Sequence, residues 1–288
     1  MIKLLHNPYV KKIISEALRE DCASNDITTK ILIPADRVSN GYIVMKEEGI
    51  VCGIDIACAC FRKLDKNVVI RKLAKDGNYV KKNSKILILK GQTRALLGGE
   101  RTALNFLAHL SSISTYTKKT VKAIRPFKTQ ILDTRKTTPT LRILEKYAVR
   151  CGGGANHRFD LGESILIKDN HKIVLTKDSK SLSDAANIAR QKSAKRIEVE
   201  VDNLAEFKNA LSAGPDFILL DNMPPKKIKA AIQLLKKSKF KSKTKLEASG
   251  GITLDNIRAF AATGVNRISL GALTHGHRSI NLSMELTN

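Results

Sequence analysis

The sequence predicts an α/β chain: a C-terminal β/α barrel that falls short of the usual eight units, joined to a smaller N-terminal α+β domain. Three observations carry this. After residue 128, short apolar runs recur every ~20–35 residues with helical segments between them, the rhythm of parallel βαβ units. Before residue 93 the apolar runs are β-branched and broken by Gly, Asn and Asp, which suits a small antiparallel sheet. One long helical pattern separates the two. The expected domains are 1–110 (entry helix, small sheet, start of the linking helix) and 111–288 (barrel), with the extreme C-terminus available to pack back on the first.

The entry helix is read from Val10, Ile13, Ile14, Ala17 and Leu18, which share one helical face before the turn-rich CASND at 22–26. The runs GYIVMKEEGIVCGI (41–54), VVIRKLA (68–74) and DGNYVKKNSKILILKG (76–91) give the sheet. Met45 and Lys46 bear a faint likeness to a biotinyl or lipoyl carrier. They fall within a strand run and not at an exposed hairpin turn, so that reading is set aside. From Glu100, Leu104, Leu107, Leu110 or Ser111, and Ser114 follow helical spacing and mark the linking helix.

The barrel strands are TQILD (129–133), SILIKD (164–169), IEVEV (197–201), FILLD (217–221), KLEAS (245–249) and RISLG (267–271), six or seven in all. Pro224, Pro225 and Asp255 open helices, and Gly214 and Gly264 stand at helix stops. Polar residues collect where these strands end: Arg135, Lys168, Glu200, Asp221, Ser249 and Gly271. In a β/α barrel those ends share one mouth, where active sites are built, whereas an open sheet would spread them along an edge.

Arg135, Lys136, His157, Arg158 and Lys168, gathered around three glycines at 152–154, suit a polyanionic substrate. Arginine grips planar carboxylates in bidentate fashion and lysine supplies a compact charge. Each alone could be a structural ion pair; their common position at strand ends argues for a site. Ser249, Gly250 and Gly251 can offer backbone N–H groups to a phosphate, and Gly271 repeats the pattern. Glu200 and Asp221 could hold Mg²⁺ bridged to diphosphate, bind ribose hydroxyls, or stabilise a developing oxocarbenium charge. Glu198 lies two residues before Glu200, on the same side of the strand and one layer deeper. Pairing of either glutamate with a nearby lysine is the plain alternative.

Composition excludes several classes. No run approaches the ~20 apolar residues of a membrane span, and no signal-peptide pattern is present, so the expected location is the cytoplasm. The five cysteines Cys22, Cys52, Cys58, Cys60 and Cys151 contain no CxxC pair, and neither a disulfide framework nor a zinc knuckle is supported. A net charge of +24 raises nucleic-acid binding, but the lysines are dispersed. The densest run, KKSKFKSKTK at 236–245, offers only Phe240 for base stacking and reads as a solvated helix end and loop.

The motifs ERTALN (100–105), DTRKTTP (133–139), GGGANHR (152–158), ILIKDNH (165–171), EVEVDN (198–203), LLDNM (219–223), EASGGI (247–252) and SLGALTH (269–275) occur in the order found in the quinolinate phosphoribosyltransferase family, which the chain resembles. The opening ALREDCASNDITTKILIPAD (17–36) is similar too, so the likeness spans nearly the whole chain. The resemblance implies that quinolinate and phosphoribosyl pyrophosphate react, with Mg²⁺, to nicotinate mononucleotide, pyrophosphate and CO₂. It implies that Arg135, His157, Arg158 and Lys168 hold the quinolinate carboxylates, with Lys136 facing quinolinate or diphosphate. On the same resemblance Arg101 would be donated across a homodimer interface, with higher assembly left open. Glu200 and Asp221 would serve the ribose and metal-diphosphate region, and Ser249, Gly250, Gly251 and Gly271 would cradle the 5′-phosphate with His275 nearby. Lys136 or Lys168 is the implied proton donor after decarboxylation.

Two positions depart from the family pattern: Thr140 and Asn25 stand where glycine is frequent, and little change in chemistry is expected from either. The rival readings are a same-fold paralogue acting on nicotinate or associated with molybdate transport, and a basic nucleic-acid-binding protein. The four-cation set Arg135, His157, Arg158 and Lys168 exceeds the needs of a monocarboxylate and favours quinolinate.

Overall fold

The computed structural model describes residues 4–276 and 278–287. In chain order the N-terminal elements are α1 (Pro8–Glu20), α2 (Ile27–Leu32), β1 (Val38–Met45), β2 (Gly49–Ile50), α3 (Ile54–Leu64), β3 (Val69–Lys72), β4 (Tyr79–Val80), β5 (Ser84–Gln92) and the long α4 (Thr93–Ala123). There follow β6 (Gln130–Leu132), α5 (Arg142–Cys151), β7 (Ile165–Ile167), α6 (Asp169–Lys177), α7 (Leu182–Lys192), β8 (Ile197–Val201) and α8 (Leu204–Ser212). The chain finishes with β9 (Phe217–Asp221), α9 (Pro225–Lys237), β10 (Lys245–Ser249), α10 (Ile257–Ala261), β11 (Arg267–Ser269), α11 (Ala272–His275) and β12 (Leu282–Thr287). Two compact units result: Met1–Lys118 with Thr137–Gly153 and Leu273–Asn288, and Lys119–Lys136 with Gly154–Ala272.

In the first unit α1 starts at Asn7, whose side chain accepts the Tyr9 N–H at 2.8 Å, with Pro8 fixing the first turn. Val10, Ile13, Ile14 and Leu18 are buried, whereas Ala17 is half-buried at the edge of that face. The antiparallel sheet has the order β12-β1-β5-β3, and β2 with β4 forms a separate ribbon. The C-terminal segment, read from sequence only as able to pack back on this domain, forms strand β12 and pairs with β1 from Asn40↔Thr287 to Met45↔Leu282. Met45 is wholly buried in this sheet and Lys46 is tied to Glu285 at 2.6 Å, so neither is a carrier attachment point.

Helix α4 begins seven residues before the expected Glu100. The Gly98–Gly99 pair looks like a breaker in sequence, yet a Cβ on Gly98 would lie 2.3 Å from the Ala23 carbonyl, so glycine serves close approach there. Ser111 and Ser114 on this helix are buried and bonded to the backbone of Cys52 and Ala148. All five cysteines are free thiols. Burial pushes the Cys58 and Cys60 thiols up to about 11 and about 12, which makes them inert core residues. Cys52 and Cys151 lie beside Asp76, whose oxygens already cap α3 through the Ile54 N–H and accept the Tyr147 hydroxyl.

The second unit is a six-stranded, all-parallel sheet of order β6-β11-β10-β9-β8-β7. The ladder does not close on itself. Segment 154–158 stands at the seam: the Ala155 N–H donates to Ile131 O at 2.8 Å, the Asp133 N–H donates to Ala155 O at 3.3 Å, and Arg158 Nη1 donates to Ser164 O at 2.8 Å, just before β7. This segment is thus tied to β6 by one isolated parallel bridge, Leu132↔Ala155, and to the β7 side by one guanidinium. Within β8, Ile197, Val199 and Val201 are buried against the flanking helices, and Glu198 and Glu200 alternate to the other face. Phe240, in the lysine-rich run, packs its ring on Gly214.

Candidate active site

The strand ends of the second unit carry the expected cations. Arg135 is half-buried in the bend after β6, and Lys136 is exposed, its N–H held by Thr134 Oγ1 at 3.0 Å. Lys168 is exposed at the N-cap of α6, where its N–H donates to His171 Nδ1 at 3.2 Å. Arg158 is buried, with a relative exposure of 9%.

Glu200 ends up opposite a group of acids. Burial first, then the charges of Asp221 and Asp169, raise its pKa to about 7. Asp221 is also raised, by burial and by the charges of Asp202 and Asp169. Lys172 is the local counterweight, within 3.0 Å of Asp169, 2.6 Å of Asp202 and 3.1 Å of Glu206. Sequence reading missed Asp169, Asp202 and Lys172; the signal was available, since Asp169 and Asp202 lie within two residues of a strand end and Lys172 on the first turns of the helix that follows. Two carboxylates raised by neighbouring acids in this way fit a divalent, oxygen-seeking cation such as Mg²⁺, which would relieve the repulsion.

The turn at 249–251 is shaped for close backbone approach. Gly250 and Gly251 have φ of +83° and +61°. A Cβ on Gly250 would sit 2.2 Å from Asn222 Oδ1, and Asn222 itself takes φ 52° while its N–H donates to Ser249 O at 2.9 Å. Asn222, unremarked in the sequence, therefore locks the β9 end onto the β10 end, and its side chain donates to Asp221 at 2.6 Å. The following helix starts at Ile257, two residues beyond the expected Asp255, because Asn256 Oδ1 first closes a turn on the Thr253 N–H.

One layer deeper, the reading of Glu198 holds and its partners differ from the lysine considered. Glu198 and Glu247 are 4% and 0% exposed, and Arg267 Nη2 lies 2.9 Å from the first and 2.6 Å from the second. The guanidinium also stacks on Phe217, 3.4 Å from its ring centroid. His157, expected to meet substrate, points Nε2 at Glu198 (3.0 Å) and Glu247 (3.6 Å). Burial opposes the Glu198 charge, but His157 and Arg267 hold its pKa below the usual carboxylate value. A cavity of about 640 Å³ opens at the strand starts, lined by Gln130, Phe217, Lys245 and Arg267, on the far side of this layer from Glu200 and Asp221.

Arg101 and His275 belong to the first unit, where both are exposed. In that unit His109 Nε2 lies 2.8 Å from buried Glu145, which also accepts the Thr138 N–H at 3.2 Å. Thr140, one of the two departures, takes a left-handed φ of 68°. Asn25, the other, ends a short 3₁₀ turn and accepts from Lys30 Nζ at 2.6 Å.

An incomplete parallel barrel whose strand ends collect cations, carboxylates pressed by neighbouring acids and a glycine turn defines an enzyme that works on anionic, phosphate-bearing substrates. The comparison with known sequences specifies which. Residues 26–111 match the quinolinate phosphoribosyl transferase N-terminal domain and residues 113–285 the C-terminal domain of the same family. The chain belongs to the quinolinate phosphoribosyl transferase family. It is 41% identical over 280 residues to the probable nicotinate-nucleotide pyrophosphorylase (carboxylating) of Bacillus subtilis (strain 168), covering 96% of this chain and 93% of that one. The Mycobacterium leprae (strain TN) nicotinate-nucleotide pyrophosphorylase (carboxylating) is 39% identical, with 95% of each chain covered. The solved structure of the Francisella tularensis nicotinate-nucleotide pyrophosphorylase superposes with a TM-score of 0.89 at 40% identity, covering 97% of this chain and 96% of that one. Among the described residues, no helix is long and apolar enough to cross a membrane.

Proposed function

We infer that the protein transfers the phosphoribosyl group of phosphoribosyl pyrophosphate to quinolinate with decarboxylation, giving nicotinate mononucleotide, pyrophosphate and CO₂ in NAD biosynthesis. Family membership over the full chain supports the reaction. The observation that supports the substrate assignment is the placement of Arg135, Lys168, Glu200 and Asp221 at or just after strand ends of one unit, with Arg158 following the segment bridged to β6. Three cations suit a dicarboxylate, and two carboxylates suit a sugar that becomes cationic.

The chemistry follows from these charges. The pyridine nitrogen lone pair forms a bond to the anomeric carbon as the carbon–oxygen bond to diphosphate breaks, its electron pair leaving on diphosphate. Positive charge grows on the sugar and is stabilised by Glu200 and Asp221; Lys136 faces the departing negative charge. Arg135, Arg158 and Lys168 hold the quinolinate carboxylates and fix the ring. The new pyridinium then accepts the electron pair of the breaking carbon–carboxylate bond as CO₂ departs, and Lys136 or Lys168 returns a proton to the ring carbon. Ser249, Gly250, Gly251 and Gly271 receive the 5′-phosphate through backbone N–H groups. Mg²⁺ would be held by Glu200, Asp221 and substrate oxygens, where it supplies charge neutralisation of the diphosphate.

The protein acts as a homodimer with Arg101 donated to the partner's site, in the cytoplasm. In support, α2 leaves Ile27, Ile31 and Leu32 about 70% exposed (68%, 75% and 69%), an apolar strip suited to a subunit contact.

The decisive assay supplies Mg²⁺, phosphoribosyl pyrophosphate and either quinolinate or nicotinate, and follows pyrophosphate and CO₂. Release with quinolinate and none with nicotinate is expected; silence with quinolinate sinks the assignment. Mixing Arg101→Ala with Lys168→Ala subunits should restore part of the activity, whereas no recovery argues against a shared site.

A further inference from the structure

Cys52, Asp76 and Cys151 meet inside the first unit, and the reaction assigned above uses none of them. Cys52 follows β2, Asp76 precedes β4 and Cys151 is the last residue of α5, yet the two Sγ atoms and an Asp76 carboxylate oxygen lie within 4.8 Å of one another.

The backbone around the two sulfurs is braced from a single helix. Ser111 of α4 accepts the Cys52 N–H at 2.9 Å and donates to Cys52 O at 3.2 Å, and Ser114 donates to Ala148 O at 2.8 Å. Gly152 closes the same packing, since a Cβ there would lie 2.4 Å from Ser114 O. Asp76 ties the start of α3 to α5, accepting the Ile54 N–H at 2.9 Å and the Tyr147 hydroxyl at 2.8 Å. Two thiols held side by side in this way lose little freedom on being joined. A metal ion would find less here. Both Asp76 oxygens already accept hydrogen bonds, which leaves two sulfurs where a structural zinc takes four ligands.

The surroundings of the two thiols assign their roles. Cys151 is partly exposed, whereas Cys52 is wholly buried. The Cys52 thiol, donating to its sulfur, lowers the Cys151 pKa; burial opposes this and the Tyr147 hydroxyl adds to it. Burial first, then the hydrogen bond to Cys151, pushes the Cys52 thiol well up, so Cys52 keeps its proton. A reachable sulfur with thiolate character beside a protonated one is the arrangement of an oxidation-sensitive pair.

We propose that Cys151 and Cys52 form a reversible oxidation site for hydrogen peroxide, with Cys151 the attacking sulfur and Cys52 the resolving one. The Cys151 thiolate bonds to one peroxide oxygen as the O–O bond breaks. Its sulfur is oxidised to a sulfenic acid, and the other oxygen leaves as hydroxide and takes a proton from solvent. The Cys52 sulfur then bonds to the Cys151 sulfur, the S–O bond breaks, and the departing hydroxide takes the Cys52 proton to form water. Two thiols and one peroxide thus give one disulfide and two waters, and a dithiol reductant restores both thiols. This chemistry is independent of the quinolinate reaction and stands or falls apart from it.

The test treats reduced full-length protein carrying Cys22→Ser, which removes the exposed thiol, with hydrogen peroxide, then alkylates it in denaturant and maps the peptides. Expected is a peptide pair joined between Cys52 and Cys151, formed about ten-fold faster than alkylation is lost at buried Cys58 or Cys60, and reversed by dithiothreitol. Cys52→Ser should leave Cys151 as a sulfenic acid captured by dimedone, with Cys52→Ala in its place should the serine variant fail to fold. Cys151→Ser should keep Cys52 alkylatable throughout. The proposal is overturned if Cys52 and Cys151 both remain alkylatable once Cys58 and Cys60 oxidise. A disulfide from Cys151 to any other cysteine, or oxidation of Cys52 in folded Cys151→Ser protein, overturns it equally.

Discussion

Glu200 and Glu198 stand two residues apart on one strand and face the same side, yet their surroundings differ. At the strand ends Glu200 meets Asp221 and Asp169, and its pKa climbs to about 7. One layer down, Glu198 meets His157 and Arg267 and its pKa falls below the usual value. The upper carboxylates repel one another, whereas Glu198 is held charged by His157 and Arg267, with Glu247 beside it raised by burial and by the Glu198 charge. Unsettled charge marks where a substrate or cation completes the electrostatics, and settled charge marks the support beneath it. The same residue type thus has two jobs, separated by one pleat of a strand.

The largest test of this contrast removes the lower layer's cation. Arg267→Ala leaves Glu198 and Glu247 buried without their guanidinium, and loss of about 3–5 kcal/mol of stability is expected, read by urea unfolding. Lys168→Ala at the upper layer should lower turnover by about 100-fold while stability moves by less than about 0.5 kcal/mol. If Arg267→Ala cost no more stability than Lys168→Ala, the two layers would not differ as described.

What sequence made legible follows the same division. The six strand runs were visible because alternation and strand–helix rhythm are local, and so was the depth of Glu198 from its spacing to Glu200. Arg267 was not recognised as its partner, because the pairing depends on register: Glu247 lies opposite Arg267 across β10 and β11, which no local period encodes. The seam segment at 154–158 was hidden by its glycines, which read as a turn, and the pairing of β12 with β1 by their distance in sequence. Asp169, Asp202 and Lys172 were not singled out, because their convergence depends on how neighbouring strand ends line up in the fold. Of the site residues, the positions of Arg135, Lys168, Glu200 and Asp221 at strand ends could be read directly; the pairing of His157 with Glu198 and Glu247 required the fold.

A second test sharpens the upper layer. Folded Glu200 keeps its proton to about pH 7, whereas its ordinary value is 4.5, so the native state binds more protons in that window. Stability contributed by this group is therefore lost as pH rises from 4.5 to 7 in metal-free protein. Glu200→Gln should remove this dependence and stabilise the metal-free protein at pH 8 by about 1–2 kcal/mol, a figure reduced from the full shift because the side chain is only partly buried. Added Mg²⁺ should raise the Tm of wild type at pH 8 and leave the variant nearly unchanged. A wild-type pH profile that matches the variant's would mean that Glu200 is not under mutual repulsion.

The smallest expected effect concerns Thr140, four residues after Lys136 and held at φ 68°. A β-branched residue in the left-handed region carries about 1–2 kcal/mol of strain. Replacing it with glycine relieves that strain but increases the freedom of the unfolded chain by about 0.5–1 kcal/mol. The two nearly offset, and Thr140→Gly should stabilise by about 0.5 kcal/mol, measurable as a small rise in Tm. Its value lies in the kinetics. If quinolinate turnover is unchanged, the strain is incidental to the loop and the working charges begin at Lys136. If kcat falls while stability rises, the strained threonine holds the loop after Arg135 and Lys136 in its productive shape, and the upper layer's reach extends to residue 140.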